Sequence, residues 1–592
     1  MIKIFKYIKL WYIPIFVLIG GLLVFQVWCD TNMPELLGKI IGDVMSQVNK
    51  GTNMSSSIWS NGLLMLAYSA GSVVATIAVS FLSSRLGTGL SADLREKIFS
   101  KVASFNKNEI NQFQTASLVT RTTNDIAQIQ MAIIFGIRLI ITSPLTIIIA
   151  FTKVQNTHID FTIALITAVV TLLVMIVVLF ILAFPKFNKI QEKIDKLNLY
   201  SRENLMGVRV IRAYNAENYQ DKKYEKANED YYKMSLFANR TMSFFNPGMQ
   251  IILNFLNLSL VLVLAYLINS GSLGFTPSSL FDGISSQTAF QGFAMQIFFS
   301  FMQLTMLFFL LPRAQVSAKR VLAVLNTRNS ITDPIIGEEI ILENEPLLEF
   351  QDVSFKYEGA QENVLSNINL VCKKGETVAF TGSTGSGKST LINLVPRFFD
   401  ATEGNILFHG VNIKDINQAD LRDKMGYVPQ TGFLFNSTIR DNMKISKEDA
   451  TDEEINEALK IACAYDFVYE FDKNLDYEIA QSGKNVSGGQ RQRLSIARAI
   501  LKNPDIYIFD DSFSALDYKT DRVVRNNLQS KTKDSLTLIV SQRIGTILHA
   551  DKIVVLENGH IIGLGSHSEL MNSCTSYKEM AFSQLSKEEL GL

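Results

Sequence analysis

Six long apolar runs dominate the first half of the chain, and none shows the strict alternation of a half-buried strand. They cover Ile13 to Val27, Ile58 to Leu82, Met131 to Phe151, Phe161 to Phe184, Met249 to Ile268 and Leu280 to Leu311. About 20 apolar residues carry a helix across a hydrocarbon core, where a helix satisfies its own backbone hydrogen bonds. The pattern therefore predicts six membrane spans within residues 1–325. Lys3, Lys6 and Lys9 lead into the first run as in a signal peptide. Trp28-Cys29-Asp30 offers no small-residue cleavage site, so the run reads as a retained span behind a basic, amphipathic lead-in.

Lysine and arginine set the orientation. The connection after the second run holds Arg85, Arg95, Lys97, Lys101, Lys107 and Arg121. The one after the fourth holds Lys186, Lys189, Lys193, Lys196, Arg202, Arg209 and Arg212. Of the opposite connections, the one between the third and fourth runs has Lys153 as its lone strong base, and Ser270 to Ser279 carries no charge at all. Both termini are expected in the cytoplasm of a multi-pass protein of the cell membrane. Leu94, Ile98, Val102 and Phe105 recur at helical spacing, as do Ile190, Ile194 and Leu197. The spans are thus expected to continue as long cytoplasmic helices.

Few charges enter the spans, Arg138 being the main one. The last run is rich in Gln, Met and Phe, among them Gln287, Gln291, Met295, Gln296, Phe298, Phe299, Met302, Gln303 and Met306. Such side chains suit an adaptable pocket for amphipathic molecules. They equally suit helix packing, with glutamine bonding across helices.

The second half is charged, mixed and soluble in character, after a polar linker expected over 326–346. A chain of 592 residues is too long for one core. Its formal net charge of zero gives no sign of a nucleic-acid partner. Cys29, Cys372, Cys463 and Cys574 form no C-x-x-C pair, so neither a zinc site nor a disulfide framework is indicated.

Gly382-Ser383-Thr384-Gly385-Ser386-Gly387-Lys388-Ser389, followed by Thr390, fits the G-x-x-x-x-G-K-[ST] phosphate loop. Val378 to Phe380 supplies the preceding strand and Leu391 to Leu394 the following helix. The glycines let backbone N–H groups curl around an anion, and the helix start aims its positive end at it. Lys388 would reach the β- and γ-phosphates of ATP, and Ser389 would hold Mg²⁺. Tyr357, upstream at a strand end, is a candidate to stack on the base. Gln430, closing the strand from Met425, is a candidate Mg²⁺ ligand and water-positioning group. Asp510 ends the apolar strand from Asp505 and matches the carboxylate that orients Mg²⁺. Val486-Ser487-Gly488-Gly489-Gln490 is a second glycine-rich turn opening a helix, hence a second anion site. One ATP does not need two such turns, which suggests that each serves a different nucleotide across a dimer.

Taken together, these motifs make the chain resemble an ATP-binding cassette (ABC) exporter half-transporter. The implied fold is an α-helical membrane domain of six transmembrane helices with long cytoplasmic extensions, 1–325, fused to an α/β P-loop nucleotide-binding domain, 347–592. The resemblance implies that Tyr357 stacks on adenine and that Gln430 senses nucleotide and meets the coupling helices of the membrane domain. Ser487, Gly488, Gly489 and Gln490 become the signature acting on the partner's ATP, and Asp517 closes the D-loop.

Two positions depart from the family pattern. Fast members carry glutamate after the Walker B aspartate and histidine at the switch; here stand Asp511 and Gln542. Aspartate is one methylene shorter, and glutamine cannot carry a proton. A positioned base contributes roughly 10²–10⁴-fold, so this site is expected to bind ATP and hydrolyse it slowly. A second half-transporter subunit carrying the competent residues is then the implied partner, as in heterodimeric bacterial multidrug exporters. Leu311 to Arg320 resembles the degenerate-site half of such pairs. The substrate class is amphipathic small molecules, with membrane lipid around the spans. The alternatives are a homodimeric lipid or peptide exporter and an ATP-gated channel or regulatory subunit.

Overall fold

Backbone polar groups in hydrocarbon have no water to bond, so each apolar run is forced into helix. The computed structural model describes residues 4, 7, 9–50, 56–154, 159–270, 277–338, 340, 346–586 and 590. Lys3, Lys6, residues 271–276 of the uncharged connection and 341–345 of the linker lie outside these. Among the described residues, six helices are long and apolar enough to cross a membrane, and each expected run falls within one of them to within a residue at its ends. The helices Ser56–Ala103 and Ile159–Met206 have 48 residues each. At 1.5 Å per residue that is roughly 72 Å, more than twice a hydrocarbon core.

The chain divides into two compact units: residues 1–101 with 116–326, and residues 102–115 with 327–592. In the first unit the helices Ile13–Lys50, Ile126–Val154 and Pro277–Asn326 pack together, as do Ile159–Met206 and Phe245–Asn269. Small residues allow close approach. A Cβ on Gly38 would lie 2.7 Å from the Ser285 carbonyl oxygen, and one on Gly292 would lie 2.6 Å from the Pro34 side chain. Within the Leu311 to Arg320 stretch, Ser317 Oγ donates to the buried Asp125 carboxylate at 2.8 Å and Arg320 Nε pairs with it at 3.3 Å.

Among its described residues the second unit is built on ten strands: β1 (Leu348–Phe355), β2 (Leu365–Cys372), β3 (Thr377–Gly382), β4 (Glu403–Phe408), β5 (Val411–Asn412), β6 (Met425–Val428), β7 (Ile506–Asp510), β8 (Leu536–Val540), β9 (Lys552–Glu557) and β10 (His560–Gly565). An antiparallel sheet has the order β2-β1-β4-β5; the larger sheet has β10-β9-β3-β8-β7-β6. In the latter, β9, β3, β8, β7 and β6 run parallel and β10 closes the edge antiparallel. All five residues of β7 and of β8 are buried. Their side chains alternate between two cores: Tyr507, Phe509 and Ile539 into one, Ile506, Ile508, Leu536 and Leu538 into the other. Burial of each such side chain stabilises by about 1.5–3 kcal/mol. Apolar runs without alternation are what a sheet covered on both faces requires.

Leu347 to Phe350 and Val353 to Tyr357 read in sequence as two strand-like segments, but they merge in one strand, β1, whose register shifts after Phe350 around Asp352 at φ 49°. A bulge interrupts the alternation without ending the pairing. The contiguous domain boundaries expected also differ from the units observed, because residues 102–115 cluster with the nucleotide-binding domain. The helix Lys107–Phe113 is capped by Asn106 and Glu109. Glu109 accepts from the Ser330 N–H at 2.7 Å, and Asn106 Nδ2 donates to the Ile331 carbonyl at 3.4 Å. The linker is held further along, where Asp333 accepts from the Gln418 N–H at 3.0 Å.

Burial would raise the Glu109 carboxyl, but its bonds from Ser330 and Asn106 outweigh that and hold it below the usual carboxylate range. A lowered folded-state value contributes stability at and above the unfolded value, near 4.3, that is lost as pH falls through the lowered one. At neutral pH, Glu109→Ala leaves the Ser330 and Asn106 N–H groups without this acceptor, an expected cost of about 1–3 kcal/mol. Amide hydrogen exchange at Ser330 and Ile331 in the full chain should accelerate; unchanged exchange would show that the contact holds nothing.

Candidate functional site

Parallel strands end together, and so do the loops that follow them. The pairing Phe380↔Val540, Asp510↔Val540 and Val428↔Phe509 aligns the C-terminal ends of β3, β8, β7 and β6. Four segments far apart in sequence thereby converge. A cavity of about 230 Å³ at this edge is lined by Thr384, Gly385, Gly387, Lys388, Ser389, Thr390, Gln430, Asp511 and Gln542, with Val364 and Val540.

The phosphate loop keeps its shape because two glycines occupy conformations a side chain resists. Gly382 has φ 141° and Gly387 φ 98°. A Cβ on Gly382 would sit 2.0 Å from the Leu556 carbonyl oxygen, and one on Gly387 would sit 2.7 Å from Leu365 Cδ2. Gly382→Ala should therefore displace the loop and lower ATP affinity by about tenfold or more. Photolabelling with an azido-ATP would measure this, and unaltered labelling would show that the loop tolerates the clash.

Lys388 Nζ donates to the carbonyls of Gly382 at 2.9 Å and Ser383 at 2.6 Å, and to Ser386 Oγ at 3.3 Å. Burial pulls its ammonium below the usual lysine range, opposed by Asp511 and Asp510. Ser389 Oγ donates to Asp510 Oδ1 at 2.7 Å, and Tyr427 Oη reaches Asp510 Oδ2 at 3.5 Å and Asn393 Oδ1 at 3.1 Å. Burial pushes the Asp510 carboxyl up; the Ser389 hydroxyl opposes this and the Asp511 charge adds to it. Both shifts mark groups short of countercharge. A polyphosphate supplies it to Lys388 and a divalent cation supplies it to Asp510. The hydroxyl of Ser389, the carboxylate of Asp510 and the amide oxygen of Gln430 are hard oxygen donors, which fits Mg²⁺.

Asp511 takes the left-handed conformation, φ 47°, with its N–H donating to the Val540 carbonyl at 3.0 Å. Gln430 Nε2 donates to Asp511 Oδ2 at 3.3 Å. The two residues that depart from the fast-hydrolysis pattern, Asp511 and Gln542, therefore both face the phosphate loop.

Other expected residues are elsewhere. Tyr357 does not line the cavity; its hydroxyl bonds Thr390 Oγ1 at 3.0 Å and its ring meets Phe355 and Phe399 edge-on. Ser487 caps the helix Gly488–Lys502: the Gln490 N–H donates to its Oγ at 3.2 Å, and Gln490 Oε1 accepts from its N–H at 2.8 Å. That turn is separate from the phosphate loop's cavity. Asp517 caps the helix Tyr518–Lys531 by accepting from the Thr520 N–H at 3.0 Å, which holds its carboxyl below the usual range.

Sequence reasoning missed Gln492, buried one turn into the signature helix. Its Oε1 accepts from the Gly432 N–H at 2.9 Å and its Nε2 donates to the Pro429 carbonyl at 3.1 Å, clamping both sides of Gln430. The only sequence signal was a glutamine on the apolar side of an otherwise basic helix start. Val364 was missed as well, since nothing in an isolated valine before β2 points to a nucleotide.

Comparison with known proteins agrees with this geometry. A family model for the ABC transporter transmembrane region matches residues 16–292, and one for the ABC transporter matches residues 365–514. A Mycobacterium tuberculosis protein named as an uncharacterized ABC transporter ATP-binding protein is 33% identical over 555 residues, 93% of each chain. One of the same description from Bacillus subtilis is 31% identical over 568 residues, 94% of each. A Staphylococcus aureus protein, named provisionally as a multidrug export ATP-binding/permease protein, is 33% identical over 492 residues, 82% of this chain and 83% of that one. Among solved structures, a bacterial Atm1-family ABC exporter with ATP bound superposes with a TM-score of 0.76, covering 95% of this chain and 98% of that one at 22% identity. With six apolar helices ahead of a phosphate loop, a signature turn and a Walker B strand in one polypeptide, the chain belongs to the ABC transporters, as an exporter half-transporter.

Proposed function

We propose that this half-transporter is the degenerate-site subunit of a heterodimeric exporter that moves amphipathic small molecules out of a bacterial cell. The observation that carries the reading is the pair Asp511 and Gln542 facing an otherwise complete phosphate site. Lys388 is placed to hold phosphate charge. Bound Mg²⁺, held by Ser389, Asp510 and Gln430, supplies neutralisation of the phosphate oxygens. The Asp511 carboxylate is one methylene short of the usual base and is already engaged by Gln430. Gln542 can donate a hydrogen bond to a phosphate but cannot exchange a proton with it. ATP therefore stays bound here and closes the two cassettes, with both termini and the nucleotide-binding domain on the cytoplasmic side.

The signature turn supports the same reading from the other direction. Ser487 to Gln490 opens a 15-residue helix and does not line this chain's own cavity. It is suited to clamp ATP held by a partner equipped with glutamate and histidine. The name of the Staphylococcus aureus relative and the glutamine- and methionine-rich last span favour amphipathic cargo.

The test pairs two substitutions. Asp511→Asn in this chain should change ATPase of the assembled pair by less than about threefold; glutamate→Gln at the partner's Walker B base should reduce it by about 10²-fold or more. Equal losses would overturn the division of roles. Accumulation of a fluorescent amphipath against its gradient in sealed vesicles separates an exporter from an ATP-gated channel. Brisk hydrolysis by the isolated chain would favour a homodimer instead.

A further inference from the structure

Resting on the reading of amphipathic cargo, we infer that the membrane unit carries a subsite for a zwitterionic head group, an anion beside an N–H-bearing cation. The subsite lies between the helices Ile13–Lys50, Ile126–Val154 and Pro277–Asn326, where a cavity of about 180 Å³ is lined by Gln26, Asp30, Arg138 and Gln296. That volume suits a head group, below the roughly 300–1,000 Å³ of sites for whole drug-sized ligands.

Charges within a membrane span are costly and pair or face a polar cavity. The same three helices show both outcomes. Lys153 is paired, with Glu35 at 2.7 Å and Asn32 at 2.6 Å. Among the described residues, no carboxylate lies within 4.0 Å of the Arg138 guanidinium and no acceptor bonds it. It shares the cavity with Asp30 without pairing to it. The Asp30 carboxylate is held in place by Ser72, whose Oγ donates to Oδ1 at 2.6 Å. Gln296 is fixed by donating Nε2 to the Asp30 carbonyl at 2.7 Å, which leaves its Oε1 buried with no donor. Gln26 is 8% exposed, and its Oε1 is likewise buried without a donor.

The cavity thus presents one unpaired cation, Arg138, and the Asp30 carboxylate, with two undonated amide oxygens buried behind its lining. A carboxylate or phosphate answers Arg138, and an adjacent ammonium answers Asp30. A purely anionic head leaves Asp30 unserved, and a purely cationic one leaves Arg138 so. A neutral hydroxyl head reaches neither charge well.

The experiment uses the full chain purified in a maltoside detergent and four matched probes. These are Nε-lauroyl-lysine, whose head is an aminocarboxylate zwitterion, laurate, dodecylamine and monolaurin, with affinity read from thermal shift. Nε-lauroyl-lysine should bind about tenfold or more tighter than the other three. Arg138→Gln and Asp30→Asn should each remove most of that preference while leaving monolaurin unchanged. Arg138→Lys, which keeps the charge, should retain part of it and serves as the folding control. Equal binding of all four probes, or a preference that survives Arg138→Gln, overturns the inference while leaving amphipathic cargo intact. Failure of every probe to bind removes both. Repeating the measurement in nanodiscs with and without phosphatidylethanolamine identifies the source. Displacement of the lysine probe by that lipid makes the head group a lipid's, and no displacement makes it a free solute's.

Discussion

Gly488→Asp is expected to reduce ATP hydrolysis by the assembled exporter more than about 10²-fold, with ATP binding to this chain unchanged. The size follows from where the substitution acts. Gly488 is the first residue of the signature helix, where N–H groups favour an anion. An aspartate there occupies that place with its own carboxylate and repels a γ-phosphate from the partner site. Its effect on folding should be small or favourable. A Cβ at Gly488 meets nothing within 4 Å, and an acid in the first turn of a helix is stabilising. The loss can then be read as loss of a composite site and not of the fold. The measurement is ATPase of the reconstituted pair alongside azido-ATP labelling of this subunit. Retained hydrolysis would mean that Ser487 to Gln490 serve no nucleotide.

The second large effect runs in the opposite direction. Asp511→Glu combined with Gln542→His should raise turnover at this chain's own site by about 10²-fold or more, the contribution of a placed base. Both positions already line the phosphate cavity, so no further rearrangement is required. The gain carries a stability cost that the backbone makes visible. Asp511 sits at φ 47°, a conformation aspartate tolerates better than glutamate, and the exchange should cost about 1 kcal/mol. Single-turnover ATPase with the partner's base removed isolates the site. If turnover stays flat while ATP still binds, slow hydrolysis has another origin than these two side chains.

Much of this site was legible before any fold was known, because its chemistry is local. The phosphate loop, the strand ending in Asp510 and the turn at Ser487 are each defined by adjacent residues whose types are dictated by phosphate and Mg²⁺. The six spans were legible for a similar reason: a run of about 20 mostly apolar residues satisfies its own backbone in hydrocarbon by forming a helix. The misses came from contacts between distant segments. One strand read as two at Phe350 to Val353, because a bulge at Asp352 breaks the pattern without breaking the pairing. Lys107–Phe113 looked like part of the membrane domain, yet Glu109 ties it to Ser330, 221 residues away. Gln492 went unremarked and is the clamp on Gln430's loop.

Residue chemistry alone indicated that this chain spans a membrane and carries a phosphate loop for ATP; its resemblance to ABC exporters placed Asp511 and Gln542 where a glutamate and a histidine are expected. Tertiary structure decided that Ser389 and Asp510, 121 residues apart, come within 2.7 Å, and that the signature turn stands outside the cavity that Ser389 lines. The reason lies in the strand order β3-β8-β7-β6. Each of those strands is a short, largely buried and largely apolar run. Such runs are locally alike, and only the pairing of the whole sheet determines which loops end side by side.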